Sequence, residues 1–231
     1  MAKLSMNILS AWGSSALRGG AGLRTQPTLG PRPAKRLELY EFEGCPFCRK
    51  VRELLTALDL EAVIYPCPKN GTRFRPKVTE LGGKAQFPYL VDPNTGAAMY
   101  ESDAIIAYLV EHYGAAGVPA SLKLGPVTTI SSLMASAVRG RSAARESRAP
   151  SLPLELYSFE ASPYCRIARE ALCDLELPYV LHNVGKKSPS RPAFIARSGK
   201  MQVPWLHDPN TDTSMFESAD IVAYLNRTYG R

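Results

Sequence analysis

Residues 37–48 read Leu-Glu-Leu-Tyr-Glu-Phe-Glu-Gly-Cys-Pro-Phe-Cys, and 117 positions later residues 154–165 read Leu-Glu-Leu-Tyr-Ser-Phe-Glu-Ala-Ser-Pro-Tyr-Cys, with 8 of 12 positions identical. Asp92-Pro-Asn-Thr returns as Asp208-Pro-Asn-Thr, and Met99-Tyr-Glu-Ser as Met215-Phe-Glu-Ser, both at an offset of 116. Self-similarity at one long spacing means that a single supersecondary unit is built twice. The 231 residues therefore divide into a lead-in over 1–36, a first unit over 37–114, a connector over 115–152 and a second unit over 153–231.

Within the first unit, Leu37 to Phe42 alternates apolar with acidic residues, as a strand with one buried face does. Pro46 suits a first helical position, where its missing N–H costs nothing. Val51, Leu54, Leu55 and Leu58 then fall on one helical face, and Ala168, Ala171, Leu172 and Leu175 repeat that stripe. A strand around 61–65 and a weaker helix around 75–81 follow. Pro88-Tyr-Leu-Val and Ala97-Ala-Met-Tyr flank Asp92-Pro-Asn-Thr-Gly, a hairpin signal. Ser102 reads as the N-cap of a last helix with Ile105, Tyr108 and Leu109 inward, matched by Ser218, Ile221, Tyr224 and Leu225. The order is β-α-β-α-β-β-α, twice. It predicts an α/β chain in which each unit carries its own mixed four-stranded sheet, and 127–138 of the connector reads as a short apolar helix.

The formal net charge of +7 invites a nucleic-acid reading until it is located. Residues 1–36 hold six basic and no acidic residues, 37–114 hold 8 against 11, 115–150 hold 5 against 1, and 151–231 hold 9 against 9. The excess sits in the lead-in and connector, which leaves no basic groove on a folded scaffold and argues against nucleic acid. The uncharged run from Leu124 to Val138 contains Pro126 and falls short of the roughly 20 residues of a membrane span. Five cysteines are too few for a disulfide-stapled secreted domain. A Ser-, Gly-, Pro- and Arg-rich opening without acids has the composition of an organelle transit peptide, or of a disordered tail.

The chemistry concentrates in Cys45-Pro-Phe-Cys48, at a strand-to-helix junction. A thiolate at a helix N-terminus faces unpaired N–H groups and the positive end of the macrodipole, which lowers its pKa. Cys45 is expected to be the exposed attacking sulfur, with Cys48 one turn in and able to resolve a mixed disulfide. Arg49, Lys50 and Arg52 are expected to make the helix start basic. Half of a zinc site is the competing reading, but His112, His182 and His207 show no ligand spacing and no metal is expected. An iron–sulfur cluster shared by two molecules through Cys45 stays open. Cys67, in Tyr65-Pro-Cys-Pro, is expected to be exposed and oxidisable, and Cys173 an inert filler.

With Phe87-Pro88 ahead of the hairpin and Glu101-Ser102 opening the last helix, the unit has the thioredoxin-like order and resembles a glutaredoxin, or the glutathione-binding N-terminal domain of soluble glutathione transferases. Glu43-Gly-Cys-Pro-Phe-Cys-Arg-Lys-Val-Arg-Glu53, Phe74-Arg-Pro-Lys-Val78, Gln86-Phe-Pro-Tyr89 and Val91-Asp-Pro-Asn-Thr-Gly96, in tandem with a second copy, resemble a plant and algal group of chloroplast proteins. The resemblance covers about 37–231. It implies a chloroplast address, with mitochondrion or cytoplasm as alternatives, and glutathione as cosubstrate. It implies a cis-proline at Pro88 that turns the backbone of Phe87 toward glutathione. It also implies that Glu101 and Ser102 hold the γ-glutamyl end, the carboxylate at a helix N-terminus.

The second unit keeps Cys165, Pro204, Glu217 and Ser218, has Val203 in place of Phe87, and puts Ser162 where the attacking cysteine belongs. Serine forms no mixed disulfide, so this copy runs no dithiol cycle. Its hydroxyl either steadies the thiolate of bound glutathione, as in serine-type transferases, or belongs to a purely structural copy. Three functions follow: a glutathione-dependent oxidoreductase acting on disulfides, protein disulfides included, or on glutathionylated thiols; a glutathione transferase, for which the all-helical domain that supplies the electrophile pocket in that family is expected to be missing; and a non-catalytic glutathione- or protein-binding module.

Overall fold

The computed structural model of the chain describes residues 20–123 and 143–231. The apolar helix expected at 127–138 lies outside the described residues. The first run of elements is β1 (Leu37–Glu41), α1 (Pro46–Leu58), β2 (Ala62–Pro66), α2 (Arg75–Gly82), β3 (Tyr89–Asp92), β4 (Ala97–Tyr100) and α3 (Ser102–Tyr113). The second is β5 (Leu154–Ser158), α4 (Pro163–Asp174), β6 (Tyr179–Asn183), α5 (Arg191–Ser198), β7 (Trp205–Asp208), β8 (Thr213–Phe216) and α6 (Ser218–Tyr229). The weak helix signal at 75–81 is a true helix, begun by proline at its first turn and ended by Gly83 at φ 81°.

The eight strands form one sheet rather than two separate four-stranded sheets, in the order β4-β3-β1-β2-β6-β5-β7-β8. At its middle β2 and β6 pair antiparallel, with Ala62 opposite Leu181, Val63 opposite Val180 and Ile64 opposite Tyr179. Val63 and Val180 are the same position of the repeat, so a pseudo-two-fold axis passes through that pair. Each copy alone would end in β2 or β6, an apolar strand with a free row of N–H and C=O groups. Pairing the two edges satisfies both. Hydrophobic patterning reports which face of a strand is buried and says nothing of which edge is covered, so the sequence carried no sign of this step.

The apolar core is continuous across that axis: Leu37, Val51, Leu54 and Ile64 belong to the same cluster as Leu154, Leu172, Tyr179 and Leu206. On the opposite sheet face, register aligns Tyr100, Tyr89, Tyr40 and Tyr65 across the first copy, and Phe216, Trp205, Tyr157 and His182 across the second. The repeated Asp-Pro-Asn-Thr has a structural role. Asp92 accepts hydrogen bonds from the hydroxyls of Tyr108 (2.7 Å) and Tyr113 (2.6 Å), and Asp208 does the same for Tyr224 (2.7 Å) and Tyr229 (2.5 Å), tying each hairpin to the helix behind it. Burial pushes the Asp92 carboxyl up, but the tyrosine and asparagine hydrogen bonds outweigh it and hold it below its ordinary value.

Residues 20–36 are not the disordered lead-in that their composition implies. Thr25 N–H donates to Lys186 O (2.9 Å), Gln26 N–H to Ala57 O (2.8 Å), and Ala161 N–H to Gly22 O (3.1 Å), so this arm bridges both copies. The connector repeats it. Ala144 N–H donates to Lys69 O (2.8 Å) and Arg145 N–H to Asp174 O (2.7 Å), and the backbone N–H groups of Lys35 and Leu152 donate alike to the side-chain oxygens of Asn94 and Asn210. The repeat thus begins well before residue 37. Its arms are held by backbone bonds, which leave side-chain identity free, and sequence comparison therefore misses them. Gly22 sits at φ 74°, where an added Cβ would lie 2.7 Å from Glu160 Cβ. Gly22→Ala should cost about 1–3 kcal/mol, read as a lower urea midpoint, because both the positive φ and the contact disfavour it. An unchanged midpoint would show that the arm contributes nothing to stability.

Candidate functional site

β1 leads through Phe42–Gly44 to Cys45, which caps α1 with φ −78° and ψ 122° and leaves Pro46 in the first turn. The Cys45 sulfur accepts the Cys48 N–H at 3.2 Å and lies 4.0 Å from the carbonyl oxygen of Phe87. The neighbouring Cys48 thiol and backbone N–H groups of the first turn hold the Cys45 thiol below its ordinary pKa, against the opposing effect of burial. Burial, and then the bond to Cys45, push Cys48 well above it. The two thiols are thus set apart: one poised to ionise, the other holding its proton.

Cys45 is only 3% exposed, so its sulfur is not the open one expected from sequence. Phe42 and Phe87 meet edge to face across the site with centroids 6.0 Å apart, and the Arg75 guanidinium lies over the Phe87 ring at 4.8 Å. The Phe87–Pro88 peptide is cis. Ser102 is buried at the start of α3, one place later than the N-cap expected of it. The cap position falls to Glu101, exposed at φ 70° with its carboxylate on the Gln86 side-chain amide. The elements therefore bring Cys45, Cys48, Phe87 and Pro88 together, with Glu101 and Ser102 beyond the hairpin. Cys67 is buried and its thiol is pushed up by that burial, which removes it as an exposed oxidisable group.

The second copy repeats the frame. Ser162 caps α4 at φ −75° and ψ 121°, and its hydroxyl accepts the Cys165 N–H at 3.3 Å. Val203–Pro204 is cis, Glu217 stands at φ 64° against the Gln202 amide, and Ser218 is buried at the start of α6. Cys165 is buried and its thiol is raised by that burial.

The helix start is not basic. Arg49, Lys50 and Arg52 are all buried and engaged: Lys50 with Asp103, Arg49 with Glu53 at 3.2 Å, and Arg52 with Glu41, with Glu43 at 3.3 Å and with Glu160 at 2.9 Å. Arg169 of the second copy answers with Glu43 at 2.9 Å and Glu160 at 3.0 Å. Arg166 pairs with Glu170 at 3.1 Å. Glu43 and Glu160, each two residues ahead of its capping residue, are therefore gripped by arginines of the opposite copy. Arginine's planar fork suits such buried carboxylate contacts. The sequence led to a basic helix start and not to this set of buried pairs. The available sign was their exact recurrence, Glu43, Arg49, Arg52 and Glu53 returning as Glu160, Arg166, Arg169 and Glu170.

Among the described residues there is no cluster of three or more potential metal ligands, and no helix is long and apolar enough to cross a membrane. The profile of the family described as "Glutathione S-transferase, N-terminal domain" matches residues 39–117 and 156–231. The glutathione S-transferase-like protein tpcF of Aspergillus fumigatus is 32% identical over 71 residues, which cover 31% of this chain and 31% of that protein. The chain thus spans about a third of the length of that relative. Among solved structures, Bombyx mori glutathione transferase BmGSTD1 matches at 28% identity over 36% of this chain and 38% of its own, with a TM-score of 0.33.

Proposed function

The chain belongs to the glutathione S-transferase N-terminal domain family, and from that premise we propose that it is a glutathione-dependent thiol–disulfide oxidoreductase working through Cys45. The observation that carries the reading is the division of labour in the Cys-Pro-Phe-Cys turn, where Cys45 is held below its ordinary pKa and Cys48 above it.

In this mechanism Cys45 ionises and its sulfur attacks the glutathione-side sulfur of a glutathionylated thiol. The new bond is Cys45–glutathione, and the substrate thiolate leaves and takes up a proton. Cys48 then loses its proton and attacks Cys45 Sγ, which forms the Cys45–Cys48 disulfide and expels glutathione thiolate. Two further glutathione molecules restore the dithiol and leave as glutathione disulfide. Phe87, Pro88, Glu101 and Ser102 are assigned to glutathione itself. The backbone of Phe87 pairs with its cysteinyl part, while the N-terminus of α3 and Glu101 receive the charged γ-glutamyl end. Ser162, Cys165, Val203, Pro204, Glu217 and Ser218 are assigned to a second glutathione site without redox chemistry.

Two assays on the purified protein test the reading: release of glutathione from a glutathionylated peptide, and conjugation of glutathione to a model electrophile. Release is the expected activity, with Cys45 alkylated below the pH range of an ordinary thiol, whose pKa is about 8.5. Conjugation that persists without Cys45 would make the protein a transferase instead. The absence of both activities, together with ordinary thiol reactivity, would leave only a binding role.

A further inference from the structure

Of the charged residues buried between the two copies, Glu43, Arg49, Arg52 and Glu53 each have a counterpart in Glu160, Arg166, Arg169 and Glu170. These charges balance. Glu41 stands outside the symmetry. It is the last residue of β1, almost wholly buried and paired with Arg52, and its counterpart at the end of β5 is Ser158, whose hydroxyl receives Arg169 at 3.3 Å. Among the described residues the cluster therefore holds one carboxyl more than it has guanidinium groups to match. That surplus lies on the side of Cys45, whereas the copy with serine at the cap has serine here too.

We propose that Glu41 is a positioning residue of the Cys45–Cys48 pair, acting through its charge, and that the second copy sets that charge through the Glu160–Arg52 contact. The proposal deepens the oxidoreductase reading and rests on Cys45 being its thiol. The Glu41 carboxyl is paired with Arg52, which stands one turn after Cys48 on the same helix, and the Cys67 N–H donates to the Glu41 carbonyl oxygen at 2.6 Å. Arg52 is shared with Glu43 at 3.3 Å and with Glu160 of the second copy at 2.9 Å, and Arg169 in turn holds Glu160 at 3.0 Å. The charge of Glu41 acts on Cys45, Cys48, Cys67 and Tyr179 across this cluster. Glu43 and Glu160 are carboxylates that compete with it for Arg52. Burial and that competition push Glu41 up to about 7, against the pull of Arg52. Near neutrality its charge therefore changes while the thiols are being used. Ionised, it opposes a thiolate at either cysteine, and protonated it does not. Glu160 takes the opposite course, held down to about 2 by Arg169, Arg52 and Arg49 although burial opposes it, so it keeps its share of Arg52 at every working pH.

The test is the pH profile of Cys45 alkylation by iodoacetamide, read at that residue by mass spectrometry in the full chain. In Glu41→Ser, which installs the residue that the second copy carries, Cys45 should react about three- to tenfold faster at pH 8. An inflection near neutral pH, present in the parent protein, should vanish. Glu41→Gln keeps the shape of the side chain and should do the same. Profiles unchanged in both variants overturn the role of Glu41. Glu160→Gln removes one competitor for Arg52, so the inflection should move to lower pH, and one that stays in place overturns the part assigned to the second copy. The readout is alkylation and not turnover. A protein that shows these shifts but releases no glutathione from the peptide would uphold this inference and sink the oxidoreductase reading.

Discussion

Replacing Cys45 by serine should cut the release of glutathione from a glutathionylated peptide by at least about 10³-fold, because it removes the sulfur that the proposed mechanism joins to glutathione. The fold should survive the change. Serine already caps the matching helix, where the Ser162 hydroxyl accepts the Cys165 N–H at 3.3 Å, close to the 3.2 Å bond that Cys45 makes. Stability read from the urea midpoint is expected to fall by no more than about 1 kcal/mol, the usual size for a point substitution, because the capping bond is kept. Loss of activity with an intact midpoint assigns the chemistry to the sulfur, while retained release would remove Cys45 from the mechanism. Cys48→Ser makes a second, different expectation. The first attack still occurs, and glutathione accumulates on Cys45 as a stable mixed disulfide, visible as added mass.

Arg52→Met should have the largest effect on stability, a loss of about 3–5 kcal/mol, because it strands buried carboxylates instead of removing an exposed pair. Arg52 touches Glu41, Glu43 and Glu160 at once; without it Glu43 keeps Arg169 and Arg166 (3.9 Å), Glu160 keeps Arg169 and Arg49 (3.8 Å), and Glu41 loses the guanidinium it is paired with. Against a total of about 5–15 kcal/mol, that is a large share of what keeps a domain folded. The loss should depend on pH in a set direction. A carboxyl raised in the folded state gives stability that is complete below its unfolded pKa and lost as pH climbs through the folded one. For Glu41 that window runs from the ordinary carboxylate range up to about 7. Without Arg52 the folded value climbs further, so the penalty should be greater at pH 8 than at pH 5. Urea midpoints at those two pH values measure it. Equal midpoints for variant and parent at pH 8 would mean that the cluster holds little of the fold.

Much of the local structure could be read from the residues. The stripe Val51, Leu54, Leu55, Leu58 became a buried helix face, and the Asp-Pro-Asn-Thr turns became hairpins, because apolar period and turn chemistry are local properties. Cys45 at the cap of α1 was legible for the same reason. The missing parts are those decided between the copies. The pairing of β2 with β6, the arms over 20–36 and the connector, and the burial of Glu43, Arg52, Glu160 and Arg169 all depend on the second copy supplying what the first lacks. Arg52 read as part of a basic helix start, because arginine is almost never fully buried unless paired. Only its recurrence as Arg169 hinted that both had partners. Cys45 proved buried through a distant segment: the backbone at Phe87, ahead of the hairpin, brings its carbonyl oxygen to 4.0 Å from the Cys45 sulfur.

The antiparallel seam between β2 and β6 has a consequence for how such a protein can change over time. Two identical subunits joined along that seam would be bound by symmetry, so any residue altered at one capping position would be altered at the other. Carrying both halves on one polypeptide lifts that constraint. Serine at 162 and serine at 158 stand in a half that still contributes a strand to the seam and arginines to its partner, while cysteine and glutamate remain in the other. Each half is free to be mutated for its own task, and neither has to fold alone.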